Sequence, residues 1–302
     1  MVDEGYVKYM TVTIASILKN TPEDVPLHFH VINDGSVSGE SVDKVDSLHT
    51  LRDFSITWHT ENRQMHHEQR EDTRPDIPMV TNYRLLLGSI LSDIDKIIFL
   101  DADLIVTGDL SELWTTDVSG YYMAAVPASS SWGGYQKSLG IPDQFFYCNT
   151  GVTLLNLKRW REEKVEDTLL KTEKKYRGIY CFYDQCVLNA ALFSQTLYIG
   201  QEWNFRPAIW EGGRKLREKY PVAFSTPRII HWASPVKPWQ DRTVPYAVLY
   251  EKYAGLTPYY ETIKSQRWPL HKIVCRKLAS IGRKLVKAIC HPMLAFNRLR
   301  SL

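Results

Sequence analysis

The stretch Ile97-Ile98-Phe99-Leu100-Asp101-Ala102-Asp103 decides the fold. Four apolar residues in succession fit a strand buried on both faces, the kind found inside a mostly parallel sheet. The run ends on two carboxylates separated by one residue. Ligands of open α/β sheets gather outside the carboxyl ends of strands. Two Asp side chains there can share a divalent cation, because hard cations take oxygen ligands, and the cation can neutralise phosphates. A strand running into a polar turn would carry the same residues, since Asp is common in turns. The seven residues leave both readings open, and the rest of the chain decides.

Upstream, helix and strand alternate. Tyr6 to Asn20 reads as a helix with Met10, Ile14, Ile17 and Leu18 on one side, and Thr21-Pro22 ends it. Leu27 to Ile32 reads as a strand closed by the turn Asn33-Asp34-Gly35, Ser38 caps a second helix, and Phe54 to Trp58 alternates as a strand. Such alternation implies parallel pairing through crossovers. Thr60 to Pro78 is polar and reads as a loop, with His66-His67 solvated inside it. Asn82 to Leu91 reads as a short helix carrying Arg84, on its own a surface charge.

Downstream, Leu104 to Val106 and Met123 to Val126 read as strands. Ala128 to Tyr147 is polar and rich in Gly and Ser, and reads as a lid or binding loop. Thr150 to Asn156 is again a buried strand, and Lys158 to Tyr176 is expected to form one charged helix. Tyr183-Asp184-Gln185 opens another helix. Arg228-Ile229-Ile230-His231 repeats the pattern of the opening stretch, an apolar run ending on a potential metal ligand. If His231 reaches the same sheet edge as Asp101 and Asp103, the three form an Asp, Asp, His site. Lys237 follows, able to meet a phosphate as a point charge.

The 302 residues allow one or two domains, and the net charge of +3 is unevenly placed. No acidic residue follows Glu261, whereas Lys and Arg recur to the end. Leu270 to Ile289 reads as an amphipathic helix, with Leu270, Val274, Leu278, Ile281, Leu285 and Ile289 on one face and Lys272, Arg276, Arg283 and Lys287 on the other. That composition suits an anionic membrane surface, contacted through residues 270–300. A helix packed on the domain with its charged face solvated is the competing reading. No nucleic-acid module is recognisable, so nucleic acid is not an expected partner. The five cysteines form no C-x-x-C pair, which argues against a disulfide framework and for a reducing compartment. Residues 1–5 hold no signal peptide, and no apolar run is long enough to span a bilayer. The expected organisation is one α/β domain over residues 1–262 and a basic membrane-association segment over 263–302.

Several motifs occur in an ordered set: Phe99-Leu100-Asp101-Ala102-Asp103, Asn149-Thr150-Gly151 running on to Trp160-Arg161, Tyr183-Asp184-Gln185 with Leu188-Asn189, and His231 with Lys237-Pro238-Trp239. Each alone is weak. Together, from about Asp3 to Trp239, they resemble family 8 glycosyltransferases, the group that includes bacterial lipopolysaccharide galactosyl- and glucosyltransferases and glycogenin. The resemblance implies a GT-A fold, a UDP-sugar donor, Mn²⁺ and retention of anomeric configuration. It implies Asp101, Asp103 and His231 as metal ligands, and Lys237 on the donor diphosphate. Arg84, Ala102, Asn149, Asp184 and Gln185 are implied around the donor, with Asp184 and Gln185 nearest the chemistry. Asp3 and Tyr6 match the family's first nucleotide-binding turn. Two carboxylates with an imidazole suit Mn²⁺ better than Mg²⁺.

The chain departs from the family twice. Ser234 stands where members usually carry Gly near a phosphate. Members also have a strand ahead of the residue matching Asp3, and Met1-Val2 is too short for one. The expectation is therefore no full strand before Asp3, with a short Val/Ile/Phe-rich segment upstream in a longer form. The expected activity is transfer of glucose or galactose from a UDP-sugar to a glycan or lipid-linked acceptor in cell-surface polysaccharide synthesis. The expected location is cytoplasmic, peripheral on the inner face of the cell membrane. The rival readings are a nucleotide-sugar hydrolase and a catalytically inactive sugar-nucleotide-binding module at the membrane.

Overall fold

The computed structural model describes residues 1–61, 79–128, 133–178, 182–207 and 214–279. The expected His66-His67 loop and the helix beyond residue 279 lie outside them. Helix α1 (Glu4–Asn20) begins where the Asp3 carboxylate accepts the Tyr6 amide at 3.0 Å, a side-chain cap on a free helix N–H. Strand β1 (His28–Asn33), α2 (Gly39–Asp46) and β2 (Ser55–Thr60) follow, and β1 and β2 pair in parallel as the alternation predicts. After α3 (Leu87–Ile90) comes β3 (Lys96–Leu100), whose carboxyl end carries Asp101.

The main sheet has the order β3-β6-β5-β7, where β5 is Met123–Pro127, β6 is Cys148–Asn156 and β7 is Thr196–Tyr198. Only β6 runs against the others: it is antiparallel to β3 and to β5, while β5 and β7 are parallel. The architecture is thus α/β with a mostly parallel sheet flanked by helices. A second pair, β4 (Leu104–Val106) and β8 (Ile229–His231), is antiparallel, with Leu104 opposite His231. On its other edge β4 meets side chains of α1. Thr13 donates to Leu104 O at 2.8 Å, Ser16 accepts from Val106 N at 2.9 Å, and Asn20 donates to Val106 O at 3.1 Å. These bonds satisfy main-chain groups that would otherwise be buried without partners.

Two expectations are corrected. Lys158 to Tyr176 is two helices, α6 (Leu157–Glu162) and α7 (Val165–Tyr176), because Lys164 takes a left-handed conformation at φ 52° between them. The break lets Trp160 bury fully and donate to Tyr122 O at 3.0 Å while Val165 and Leu169 pack into the same core. The stretch Ala128 to Tyr147, expected as a loop, contains α5 (Gly133–Ser138). The Gln136 side chain organises its return by donating to Pro142 O and Phe145 O and accepting from Tyr147 N. Helix α8 (Tyr183–Leu192) follows and packs Cys186 against Leu139, Ile141 and Tyr147. Cys148, Cys186 and Cys275 are free thiols.

Near the carboxyl end, α9 (Arg214–Lys219) and α10 (Pro221–Ser225) precede β8, and α11 (Ala247–Ala254) and α12 (Tyr260–Ser265) follow it. Helix α12 runs across residue 262 and buries Ile263 in the core that also holds Val7 and Tyr250. Residues 270–279 are helical.

Candidate active site

The register of β4 against β8 builds the site. With Leu104 opposite His231, the imidazole arrives beside Asp103, and the Asp101 amide binds Gly151 O at 2.8 Å, which aligns β3 with β6 at the same point. One ligand atom from each of Asp101, Asp103 and His231 lies within 4.8 Å of the others. His231 Nε2 is 3.1 Å from Asp103 Oδ1 and 3.7 Å from Asp101 Oδ2. The remaining oxygens are held from outside. Arg84 Nη2 binds Asp101 Oδ1 at 2.6 Å, and Lys237 Nζ binds Asp103 Oδ2 and Trp232 O. Two cations thus hold the outer faces while the inner atoms converge.

The residues fit a divalent cation. His231 is buried, and its Nδ1 sits 2.9 Å from Asn204 Oδ1, an acceptor, so Nδ1 carries the proton and Nε2 presents its lone pair to the carboxylates. A Cβ on Gly151 would lie 2.3 Å from His231 Cε1 and 2.4 Å from Asp101 Oδ2, so only glycine leaves room for this arrangement. Burial alone would raise the pKa of Asp103. The ammonium of Lys237 outweighs it and holds the carboxyl below the usual carboxylate range.

A second group of residues adjoins the first through Arg84. Its Nη1 donates to Thr150 Oγ1 at 2.8 Å and Thr150 O at 3.1 Å, and its guanidinium lies 3.8 Å from the centre of the Phe99 ring. The expected surface-charge reading of Arg84 is corrected: it is 4% exposed and joins both carboxylate groups. Asp184 Oδ2 is 3.0 Å from Arg84 Nη1, though not aligned as a hydrogen bond. Gln185 is fixed at both ends. Its Oε1 accepts from Asn149 Nδ2 at 3.0 Å and Thr150 N at 3.2 Å, and its Nε2 donates to Tyr147 OH at 2.9 Å.

Of the remaining expected residues, Tyr6 lies near the acidic group. Burial raises its phenol pKa, and the negative charges of Asp103, Asp3 and Asp101 raise it further. Asp3 is engaged as the cap of α1. Ala102 offers its carbonyl to Thr13 Oγ1 at 3.4 Å. The Ser234 amide donates to Trp232 O at 2.7 Å, and its hydroxyl to Val236 O at 3.0 Å.

Sequence reasoning missed Asn204. It is fully buried, donates to Asn149 Oδ1 at 2.8 Å, and meets His231 through its own Oδ1, so it links the two groups. Its one local signal is an amide between Trp203 and Phe205, where burial demands hydrogen-bond partners.

Replacing Asn204 with Leu removes the acceptor that sets the His231 tautomer. Mn²⁺ affinity measured by titration calorimetry should fall by about 10–100-fold, as for other groups that orient metal ligands. Unchanged affinity would mean that Asn204 only packs. Asp184 generates a second prediction. Burial, opposed by Arg84 and reinforced by Asp101, raises its pKa from 3.8 to about 6. The folded state then holds the proton more tightly than the unfolded chain. This group's contribution to stability should increase as pH falls from above 6 toward 4, and become unfavourable above 6. Carbon-13 NMR of labelled Asp carboxyls should find one midpoint near 6, and a midpoint near 4 for Asp184 would contradict the assignment.

Comparison with known proteins identifies the family of the chain. Residues 1–243 match the family model for glycosyl transferase family 8. The lipopolysaccharide 1,2-glucosyltransferase of Escherichia coli K12 is 26% identical over 265 residues, covering 84% of this chain and 75% of that protein. General stress protein A of Bacillus subtilis is 24% identical over 270 residues, covering 84% and 91%. The crystal structure of the galactosyltransferase LgtC in complex with donor and acceptor sugar analogs superposes with a TM-score of 0.75 at 26% identity, covering 85% of this chain and 94% of that one. The fold is the GT-A fold, the chemistry is sugar transfer, and the chain belongs to glycosyl transferase family 8.

Proposed function

We propose that this protein transfers glucose or galactose from a UDP-sugar to a hydroxyl of a glycan or lipid-linked acceptor in cell-surface polysaccharide synthesis. The anomeric configuration is retained, and Mn²⁺ serves in preference to Mg²⁺. The observation that carries the reading is the convergence of Asp101, Asp103 and His231 between the fixed cations Arg84 and Lys237. Asp101, Asp103 and His231 would hold a divalent cation, which would supply Lewis-acid stabilisation for a departing diphosphate. Lys237 is placed to turn its ammonium from Asp103 to a phosphate oxygen. Arg84, Asn149 and Asp184 offer polar groups at one edge to a bound hexose, and Tyr6 stands on the nucleotide side.

The same geometry favours a front-face route. Retention by double displacement needs a nucleophile on the far face of the sugar. Gln185 offers an amide, a poor nucleophile, and is bonded to Tyr147, Asn149 and Thr150. Asp184 is buried against Arg84. In the front-face route the acceptor proton passes to the leaving UDP oxygen, and the polar edge stabilises the oxocarbenium-like sugar. Replacing Gln185 with Ala should lower kcat by about 100-fold, a magnitude typical of a lost transition-state donor, with UDP affinity nearly unchanged. UDP release from a panel of UDP-sugars with Mn²⁺ measures this. Turnover indifferent to EDTA, or a covalent sugar adduct on Asp184, would overturn the mechanism.

The exposed apolar stripe of the carboxyl-terminal helix supports contact with a membrane surface. Over residues 270–279, Leu270, Val274 and Leu278 are 75%, 45% and 62% exposed, so the apolar stripe is not packed on the domain. Arg276 anchors the helix to Asp241 at 2.8 Å. No described helix is long and apolar enough to cross a membrane. Such a helix lies in the interface, its apolar face in lipid and its exposed Lys272 and Lys277 toward anionic headgroups. Removing the residues after Arg267 should abolish binding to phosphatidylserine vesicles, and binding of the full chain should weaken with salt. Vesicle binding that survives the deletion would place the contact elsewhere.

A further inference from the structure

One buried charge takes no part in the site described above. Arg206 is 4% exposed and lies two residues beyond Asn204. Asn204 donates to Asn149 O and Oδ1, and Arg206 donates through Nη2 to Pro127 O at 3.3 Å. Pro127 ends β5 opposite Cys148, the residue before Asn149. The guanidinium therefore lies at the same sheet edge as Asn149 and Gln185. Its bond to Pro127 is its single hydrogen bond among the described residues, and its Nε is sealed with no partner. No carboxylate among the described residues pairs with it. The acidic group beside it is the Cys148 thiol, which burial keeps neutral by raising its pKa. Burial lowers the pKa of the guanidinium itself to about 10, so the charge persists at neutral pH. A guanidinium offers five N–H donors in a fixed fork, and burying it unpaired is costly.

The residues that hold Arg206 also line a cavity of about 480 Å³. Pro127 and Gln201 are in its wall, and Gln201 Nε2 shares Pro127 O with Arg206, at 2.9 Å. Gln201 Oε1 is likewise sealed without a partner. Phe146, 53% exposed, and Tyr220 add aromatic surface. Lys219 and Glu202 stand in the lining as one charge of each sign, so Arg206 leaves the region net positive. We propose that Arg206 is the counter-ion for an anionic acceptor: the glycan that receives the sugar carries a phosphate or a carboxylate, bound in this cavity beside Pro127 and Gln201. The long bond to Pro127 O gives way to charge-assisted bonds of about 2.7–2.9 Å, in the two-pronged geometry with which guanidinium meets carboxylate and phosphate. Gln201 Oε1 accepts from a hydroxyl of the same sugar. A neutral glycan would leave the guanidinium unpaired, which is how the site would select against it. This assignment rests on the sugar-transfer reading and names what that reading leaves open, the charge of the acceptor.

The test measures binding of three probes to the full chain without donor or metal: methyl glucoside, its 6-phosphate and methyl glucuronide. Titration calorimetry should find the phosphate or the glucuronide bound at least about 10-fold tighter than the neutral glycoside, and the tighter of the two identifies the anion. Arg206→Leu should abolish the preference, with Tm unchanged or raised, since an unpaired buried charge is removed. Arg206→Lys keeps the charge and should keep part of the preference, which covers a Leu variant that does not fold. Equal binding of the three probes, or a preference that survives Arg206→Leu, would overturn the proposal. With UDP-sugar and Mn²⁺ added, the anionic probe should also give the higher kcat/KM. Anion binding that depends on Arg206 but brings no gain in turnover would overturn the acceptor role. UDP release from no donor, with or without a probe, would instead overturn the sugar-transfer reading, and the acceptor role with it.

Discussion

The pairing of Leu104 with His231 is the constraint on which the site depends. The strands involved are short, and β4 would make a weak edge on its own. Thr13, Ser16 and Asn20 of α1 take up its other side, so a helix fixes the depth at which the β4–β8 pair sits. A one-residue slip in this register would turn the imidazole to the opposite face. With the register held, Gly151 supplies the clearance that lets a carboxylate, an imidazole and the β6 backbone approach together.

Charge is then distributed around that point in a continuous network. Lys237, Asp103 and His231 form one arm, and Arg84 joins Asp101 to Asp184 in the other. Asn204, Asn149 and Gln185 connect the arms through neutral hydrogen bonds. Buried ions are expensive unless paired, and removing one member typically costs about 3–5 kcal/mol because its partner is left uncompensated. Arg84 therefore has a structural role. The network holds the inner ligand atoms in position, with Asp184 and Asn149 beside them.

Much of this was legible in the chain. The apolar run into Asp101 and Asp103, the similar run into His231, and the alternation of the first sixty residues each reflect local periodicity. The ordered motifs resembling family 8 contain Asn149, Asp184 and Gln185, and Asn149 and Gln185 are hydrogen-bonded to each other. What was not legible depends on distant partners. Arg84 reads as a surface charge on its helix until Thr150, Asp101 and Asp184 surround it. Asn204 is coupled to residues far from it in sequence. The split at Lys164 comes from packing Trp160 and Leu169 together, which overrides the helical propensity of the charged segment. Within Ala128 to Tyr147, Gln136 makes the bonds that allow a short helix among polar residues.

The central claim is that Asp101, Asp103 and His231 hold one divalent cation facing a nucleoside diphosphate. Anomalous diffraction from crystals soaked with Mn²⁺ and UDP tests it most directly. The account predicts a single strong manganese peak within about 2.5 Å of Asp101, Asp103 and the Nε2 of His231, with Lys237 turned from Asp103 toward a phosphate oxygen. A peak elsewhere, or UDP bound with Lys237 still on Asp103 and no manganese at the three ligands, would contradict it.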